Sequence, residues 1–521
     1  MSVIAPPLSP SPTLPSSLPT LLRAAGGHPL YGTAATRHIE TQALATNPQP
    51  RLMQRAGLAL AQLGQALAPH AHQVWVACGP GNNGGDGLQA AAALQAAGYT
   101  TCAHWLGTPE HCSPDTHAAW QAALHAGVQL LELDTAPPQL GPQDLAIDAL
   151  LGIGAGTLRC HDHSDSPLSQ LLQALYQSTA PVLCADLPSG LDADTGCYLP
   201  GLGFERPPHS PRHTLSLLTL KPGLFTGQGR DAAGSIWWAP LGISLDLLHQ
   251  QRACAVLGGP LPRRARPHNS HKGLFGDVSV IGGEGLARRG MGMGGAAVLA
   301  ATAALHQGAG RVMLTLLDDG ACKLLPAQPE LMLRRLDALR WDQGVVVCGC
   351  GGGQAVAAAL PQVLEQAHRL VLDADALNAI AADPHLQRLL ASRAHIGLQT
   401  ILTPHPLEAA RLLDLHTEDV QSNRLEAAHA LAQQTYSTVV LKGSGSIIHS
   451  PHQLPCINTS GNALLATGGT GDVLAGMVGA AWATGLPAHT AAQWAVWQHG
   501  HLADTWPVHL PLTASALARS A

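Results

Sequence analysis

The sequence predicts two α/β domains in one chain, each a parallel sheet covered by helices. Short β-rich runs alternate with alanine-rich helical stretches through both halves, the pattern of strand–helix–strand units. The apolar strands repeatedly end in glycine- or acid-bearing loops. A Pro/Arg-rich stretch, LGGPLPRRARPHNS (257–270), separates the halves. The chain has 521 residues, which suits several domains of about 100–200 residues each. We divide it into a Pro/Ser-rich disordered tail (1–27), a first domain (28–245), a linker (246–268) and a second domain (269–515).

Strands of the first half are expected at 72–78, 100–106, 145–149, 181–185 and 213–220. The second half restarts near Gly276 with DVSVIGG and continues through 311–317, 345–348, 370–372, 400–403 and 439–441. Composition narrows the function. Charged residues are 12% of the chain and hydrophobic ones 46%, with a formal net charge of −6. The chain is therefore not disordered as a whole. Mild acidity without a long Lys/Arg run excludes a nucleic-acid footprint. The 11 cysteines are scattered and form no CxxC pair, which fits a reducing compartment and a cytoplasmic protein. The first 27 residues lack the basic start and apolar run of a secretory signal. Apolar residues 291–305 are too few to span a membrane, and 464–485 is interrupted by Asp472. Only four cations are lysines: Lys221, Lys272, Lys323 and Lys442, the first, second and fourth in glycine-flanked motifs.

In the first half, VWVACGPGNNGGDGLQ reads as strand, glycine loop and helix start. Such a loop lets backbone N–H groups approach a phosphate. The next strand, TTCAHWLGT, ends without the acid that a dinucleotide site uses to grip a ribose, so hydride transfer is disfavoured. The loop carries Asn82, Asn83 and Asp86 instead, and two more strands end in Asp148 and Asp186. A single strand-end aspartate serves equally well as a cap. Three acid loops on one parallel sheet converge on the crevice outside its carboxyl ends.

Taken together, LMQRAG, NNGGDG, DALLGIG, DLPSGLDADTG and TLKPGL resemble the NAD(P)H-hydrate epimerase (YjeF N-terminal) domain over about 200 residues. The resemblance implies a Rossmann-like three-layer sandwich. It implies that Asn82, Asn83, Gly84, Gly85, Asp86 and Gly152, Ile153, Gly154, Ala155, Gly156, Thr157, Leu158 bind the hydrated nucleotide, and that Asn83, Asp148 and Ser189 hold a potassium ion (K+). Asp186 is then the substrate contact and acid/base. Ile153 and Ala155 depart from the threonine and leucine of the family loop.

The second half carries HKGLFG, IGG, CGCGGGQ, DADALN, LTPHPLEAARLL, LKGSGS and finally NALLATGGTGDVLAG. In the last, three glycines precede a helix whose first residues include Asp472. Free N–H groups at a helix start receive a phosphate oxygen, and a carboxylate there takes a proton from a hydroxyl facing that phosphate. Together these motifs resemble the ADP-dependent NAD(P)H-hydrate dehydratases, with a ribokinase-like α/β fold, over residues 260–510. The resemblance implies that Ala296, Gly351 and His405 contact the hydrate. Lys442, Gly443, Ser444, Gly445, Ser446 and Gly471 would hold the adenine nucleotide, ADP with Mg2+, and Asp472 is the base. CGCGGG lacks the proline and leucine of the family's GPGLG loop.

The combined expectation is a bifunctional repair enzyme for NADH and NADPH hydrated at the nicotinamide ring, NADHX and NADPHX. It would epimerise the R and S forms and dehydrate the S form, as a homo-oligomer without nucleic-acid or membrane partners. The alternatives are a ribokinase-like small-molecule kinase fused to a nucleotide-binding module, and a first half that is a non-catalytic scaffold. The cluster Cys160, His161, Asp162, His163 and Asp165 lacks paired zinc-ligand spacing and reads as a solvated loop. Trp494 and Trp497 are expected to pack.

Overall fold

A computed structural model describes residues 18–22, 26–46, 51–154, 166–204, 210–262, 266–318, 320, 322 and 325–521. The chain divides into two compact units, one holding residues 30–224 and 228–253, the other 225–227 and 254–521.

The first unit is a sheet with strand order Thr20–Leu21, Ser235–Ala239, Arg212–Leu217, Val182–Ala185, Leu145–Ala149, Gln73–Cys78, Thr100–Trp105, Gln129–Leu131. All pairings are parallel except that of Thr20–Leu21 with Ser235–Ala239. Chain direction along the sheet reverses between Gln73–Cys78 and Leu145–Ala149. These strands are almost wholly apolar and buried, as parallel strands covered on both faces must be. One face is covered by the helices Thr33–Thr46, Leu52–Leu67, Asn82–Ala96 and Pro114–Ala126. The other is covered by Pro167–Gln177 through Leu171, Leu172 and Leu175. Local signals set the ends. Ser113 accepts the Thr116 N–H at 3.2 Å, and Gly127 closes the same helix at φ 83°.

The second unit has the order Met332–Leu333, Arg311–Leu316, Asp277–Gly282, Val345–Cys348, Arg369–Leu372, Gln399–Leu402, Thr438–Leu441, Ile447–His449, Cys456–Ile457, Ala255–Leu257. It is parallel through Thr438–Leu441, with the Ile447–His449 strand antiparallel to both neighbours. Its reversal lies between Asp277–Gly282 and Val345–Cys348. Across the core, Gly294–His306 packs against Thr470–Ala483. Glycine permits the close approach: a Cβ on Gly476 would lie 2.0 Å from the Ala300 carbonyl oxygen. The buried Arg393 guanidinium donates to Ala367 O at 2.6 Å, to Gln399 O at 3.1 Å and to the Thr400 hydroxyl at 2.8 Å.

Several elements differ from expectation. The strand expected to run to Leu220 ends at Leu217, because Leu218 takes φ 66° and turns the chain. Thr20–Leu21, expected to be disordered, pairs with Ser235–Ala239; residues 1–17 lie outside the described ones. The stretch 246–268, read as linker, contains the strand Ala255–Leu257 on Cys456–Ile457. Three residues of periodicity are too few to mark a strand. Trp497 stacks on His501 with ring centroids 4.6 Å apart. Among the described residues, no helix is long and apolar enough to cross a membrane.

Gly476→Ala tests the helix contact. Alanine raises helix propensity by about 1 kcal/mol, but overpacking costs about 1–3 kcal/mol. We expect a lower midpoint for the second unit in urea or thermal unfolding, and an unchanged or higher one would refute the contact.

Candidate active sites at two sheet crossings

In the first unit, the reversal point opens into a cavity of about 400 Å3. Backbone geometry creates it. A Cβ on Gly79 would lie 1.8 Å from the Leu150 carbonyl oxygen, and one on Gly84 would lie 1.9 Å from that of Gly79. Only glycine lets these two strand-end loops and the helix start converge. The cavity is lined by Asn82, Asn83, Asp86, Gly152, Ile153, Gly154 and Asp186, and also by Arg37, Glu40 and Lys221. Gly84 and Gly85 are buried, and Gly85 packs against Met53 and Thr116. A Cβ on Gly84 would meet the Gly79 backbone, so neither glycine has room for a side chain. Ala155, Gly156, Thr157 and Leu158, like residues 160–165, lie outside the described residues.

Asp186 follows the Val182–Ala185 strand in a left-handed conformation, φ 67°, which is uncommon for a side chain other than glycine. Its amide donates to Leu215 O at 2.9 Å, while its Oδ1 accepts the Leu217 N–H at 3.0 Å and an ion pair from Lys221. The buried Lys221 ammonium also donates to Leu217 O at 2.7 Å. The turn at Leu218 returns the chain so that Lys221 reaches Asp186. Two more carboxyls face this pair. Burial pushes the pKa values of the Asp86 and Glu40 carboxyls up, and the Asp186 charge adds to both. Glu40 lies on the Thr33–Thr46 helix, where no motif marks it in the sequence.

Asp148 and Ser189 form a buried pair beside the cavity. The Ser189 hydroxyl donates to Asp148 Oδ1 at 2.5 Å, its amide donates to Oδ2 at 2.9 Å, and its oxygen accepts the Leu151 N–H at 2.8 Å. Asn83 packs on Gly152, and its buried Nδ2 has no hydrogen-bond partner among the described residues. Turning that amide over exposes its oxygen at the same place. Carboxylate, hydroxyl and amide oxygen are the hard donors that an alkali cation takes.

In the second unit the corresponding crossing is built the same way. A Cβ on Gly282 would lie 2.2 Å from the Cys350 carbonyl oxygen, and Gly349 approaches Asp373 O as closely. Buried Glu284 fastens the 349–355 loop: its amide donates to Gly351 O at 2.7 Å, and its Oε1 accepts the Ala355 N–H at 2.9 Å. Gly351, at φ 58°, packs on Ala296, bringing those two predicted residues together.

Asp472 sits in the first turn of Thr470–Ala483, behind the N-cap Gly469 at φ 93°. Ligand atoms of Cys350, Asp373 and Asp472 all lie within 4.8 Å of one another. Burial, with Asp373 adding charge, pushes the Asp472 carboxyl up to about 6. The Lys442 ammonium donates to Asp373 Oδ1 at 2.8 Å and lies 3.9 Å from Glu408 Oε2. Burial pushes Glu408 up to about 7. Read from sequence as a nucleotide contact, Lys442 is here tied to carboxylates, and Gly471 lies beside its ammonium. His405 caps the Pro406–Leu413 helix through its Nδ1, which accepts the Glu408 N–H at 3.2 Å. Its ring is half-exposed.

The LKGSGS loop takes its shape from Arg424, which no motif predicts. The buried guanidinium donates to Leu441 O at 3.3 Å, Lys442 O at 3.1 Å and the Thr226 hydroxyl at 3.1 Å. Gly443 and Gly445 have φ 133° and 64°. Ser444 O accepts the Gly227 N–H at 3.1 Å, and the Ser446 hydroxyl donates to Gly443 O at 3.1 Å.

Comparison with known proteins gives both halves a family. Residues 49–223 match the model described as YjeF-related protein N-terminus, and 279–518 match NAD(P)H-hydrate dehydratase. The ADP-dependent (S)-NAD(P)H-hydrate dehydratase of Neisseria meningitidis is 40% identical over 263 residues, 49% of this chain and 85% of that one. A Bacillus subtilis ADP/ATP-dependent NAD(P)H-hydrate dehydratase, crystallised with ATP/Mg2+, is 30% identical over 50% of this chain and 91% of its own, with a TM-score of 0.41. The Escherichia coli bifunctional NAD(P)H-hydrate repair enzyme Nnr is 35% identical over 465 residues, 87% of this chain and 84% of the relative. A match of that extent across both halves means that this chain belongs to the bifunctional NAD(P)H-hydrate repair enzymes.

Proposed function

We propose that the chain restores hydrated NADH and NADPH through two sites. The first unit epimerises the R and S hydrates, and the second dehydrates the S form with cleavage of ADP to AMP and phosphate. The observation that carries this reading is the pair of crossings, each with a strand-end aspartate beside a lysine and a glycine-built opening.

In the first site, Asp186 moves the proton, and its ion pair with Lys221 holds the carboxylate in place. Asn82, Asn83, Asp86 and Gly152–Gly154 bind the nucleotide around it. Asn83, Asp148 and Ser189 supply the oxygens for K+, a reading supported by the hard donor set and the unpartnered Asn83 amide. Bound there, the cation supplies positive charge next to the nucleotide.

In the second site, Asp472 accepts the proton of the hydrate's hydroxyl as that oxygen attacks the terminal phosphoryl of ADP. N–H groups at the start of Thr470–Ala483 stabilise the charge that develops. Phosphate then leaves the phosphorylated hydrate as the adjacent ring carbon gives up a proton to solvent, and the C–H electron pair restores the ring double bond. Lys442, Gly443–Ser446 and Gly471 hold the nucleotide, while Ala296, Gly351 and His405 border the hydrate. Mg2+ carried by the ADP phosphates would neutralise part of their charge. A kinase would instead release a stable phosphorylated product.

Mixed hydrate epimers with ADP, followed by the absorbance of regenerated NADH, test both sites. Wild-type protein recovers all of the substrate. Asp472→Asn lowers dehydration by about 10²–10⁴-fold while epimerisation persists, whereas Asp186→Asn recovers the S fraction and then slows to the spontaneous rate. Recovery at the wild-type rate by either variant would overturn its assignment.

The working base must be a carboxylate, and the Asp472 carboxyl is raised to about 6. The dehydration rate at limiting substrate therefore falls as pH drops through about 6, approaching tenfold per unit below it. A profile flat from pH 7 to 5 would assign the base elsewhere.

A further inference from the structure

The second site contains a thiol that the proposed reaction does not use. Cys350 is fully buried, and its side chain points at the two aspartates that end or follow neighbouring elements. Asp373 follows the Arg369–Leu372 strand, and Asp472 opens the Thr470–Ala483 helix. No other group of three or more such side chains among the described residues is gathered so closely.

We propose that Cys350, Asp373 and Asp472 form a site for a thiophilic divalent cation of the zinc or cadmium class, and that its capture switches off dehydration.

Three observations carry the proposal. First, ligand atoms within 4.8 Å of one another need only a small closure to reach the separations around a tetrahedral ion with bonds of about 2.0–2.3 Å. Second, the donor set selects. One sulfur and two carboxylates suit zinc-like ions, whereas Mg2+ demands octahedral oxygen. Third, the ion brings the charges closer to balance. Thiolate and two carboxylates total −3, against +2 from the ion and +1 from Lys442, which bonds Asp373 at 2.8 Å. Without the ion, one lysine faces three buried or half-buried carboxyls: Asp373, Asp472 and Glu408. On binding, the Cys350 S–H bond breaks, its proton goes to solvent and a sulfur–metal bond forms. The half-buried Asp472 is the open side, and the fourth position is left to water. Dehydration stops because the metal holds the carboxylate that accepts the hydroxyl proton. That consequence rests on the proposed function, whereas the metal binding does not.

Cadmium titration of the full chain, followed by the thiolate-to-cadmium charge-transfer absorbance, reads the site directly. Wild type should show one tight binding event that is missing from Cys350→Ser and Cys350→Ala and weakened roughly tenfold or more in Asp373→Asn. The exposed Cys254 contributes equally to all of them. Circular dichroism confirms that each variant is folded, and two replacements guard against one that is not. Zinc should inhibit wild-type dehydration reversibly, with chelator restoring it and epimerisation unchanged. The activity retained by the Cys350 variants should be insensitive to zinc. Equal cadmium binding by wild type and both Cys350 variants would overturn the site. A cadmium signal in a protein that dehydrates no hydrate would leave the site standing and sink the functional reading instead.

Discussion

Both sites depend on the same close contact between a glycine and the carbonyl oxygen of the neighbouring strand's loop. Gly79 approaches Leu150 O in one unit, and Gly282 approaches Cys350 O in the other. In each case the two loops leave adjacent strands whose connections turn in opposite directions, the place where open α/β sheets bind ligands. A side chain at either glycine would push these loops apart. The Asp148–Ser189 pair lies beside the first contact, and the Glu284 clamp fastens the second. Helix starts, acids and lysines are thereby brought within reach of one another.

Electrostatics then gives the two crossings a common pattern. One lysine stands among three carboxyls: Lys221 with Asp186, Asp86 and Glu40, and Lys442 with Asp373, Asp472 and Glu408. Burying a charge is costly unless it is paired. With one cation for three acids, the remaining carboxyls shift toward their protonated forms. Such groups suit proton transfer near neutral pH. The compact ammonium also explains why lysine occupies these two positions in a chain that otherwise favours arginine. The buried Arg424 and Arg393 do different work: their planar forks each collect several carbonyl oxygens and fix loops.

Much of this architecture was legible in the chain itself. Long apolar runs such as VVVC and LAIDA are strands because two-sided burial leaves no polar alternation. Glycine-rich ends such as CGPGNNGGDG and ATGGTGD signal places where backbone approaches backbone or a ligand. Asp148, Asp186 and Asp472 could be singled out because each stands at the end of a strand or the start of a helix. Short strands near the sheet margins, such as Ser235–Ala239 and Ala255–Leu257, were not legible. They are short, and their pairing is decided by neighbours distant in sequence.

By itself, the sequence determined the class of fold, the two-part organisation and the loops that carry chemistry, since these follow from local periodicity and from backbone freedom at glycine. Only the tertiary structure decided which side chains meet. It turned the chain at Leu218 so that Lys221 reaches Asp186, and it brought Glu40 to the cavity from a helix without a motif. It buried Gly84 and Gly85 and placed the Cys350 thiol against Asp373 and Asp472. The physical reason is that burial and charge pairing depend on distance through space, which spacing along the chain does not specify.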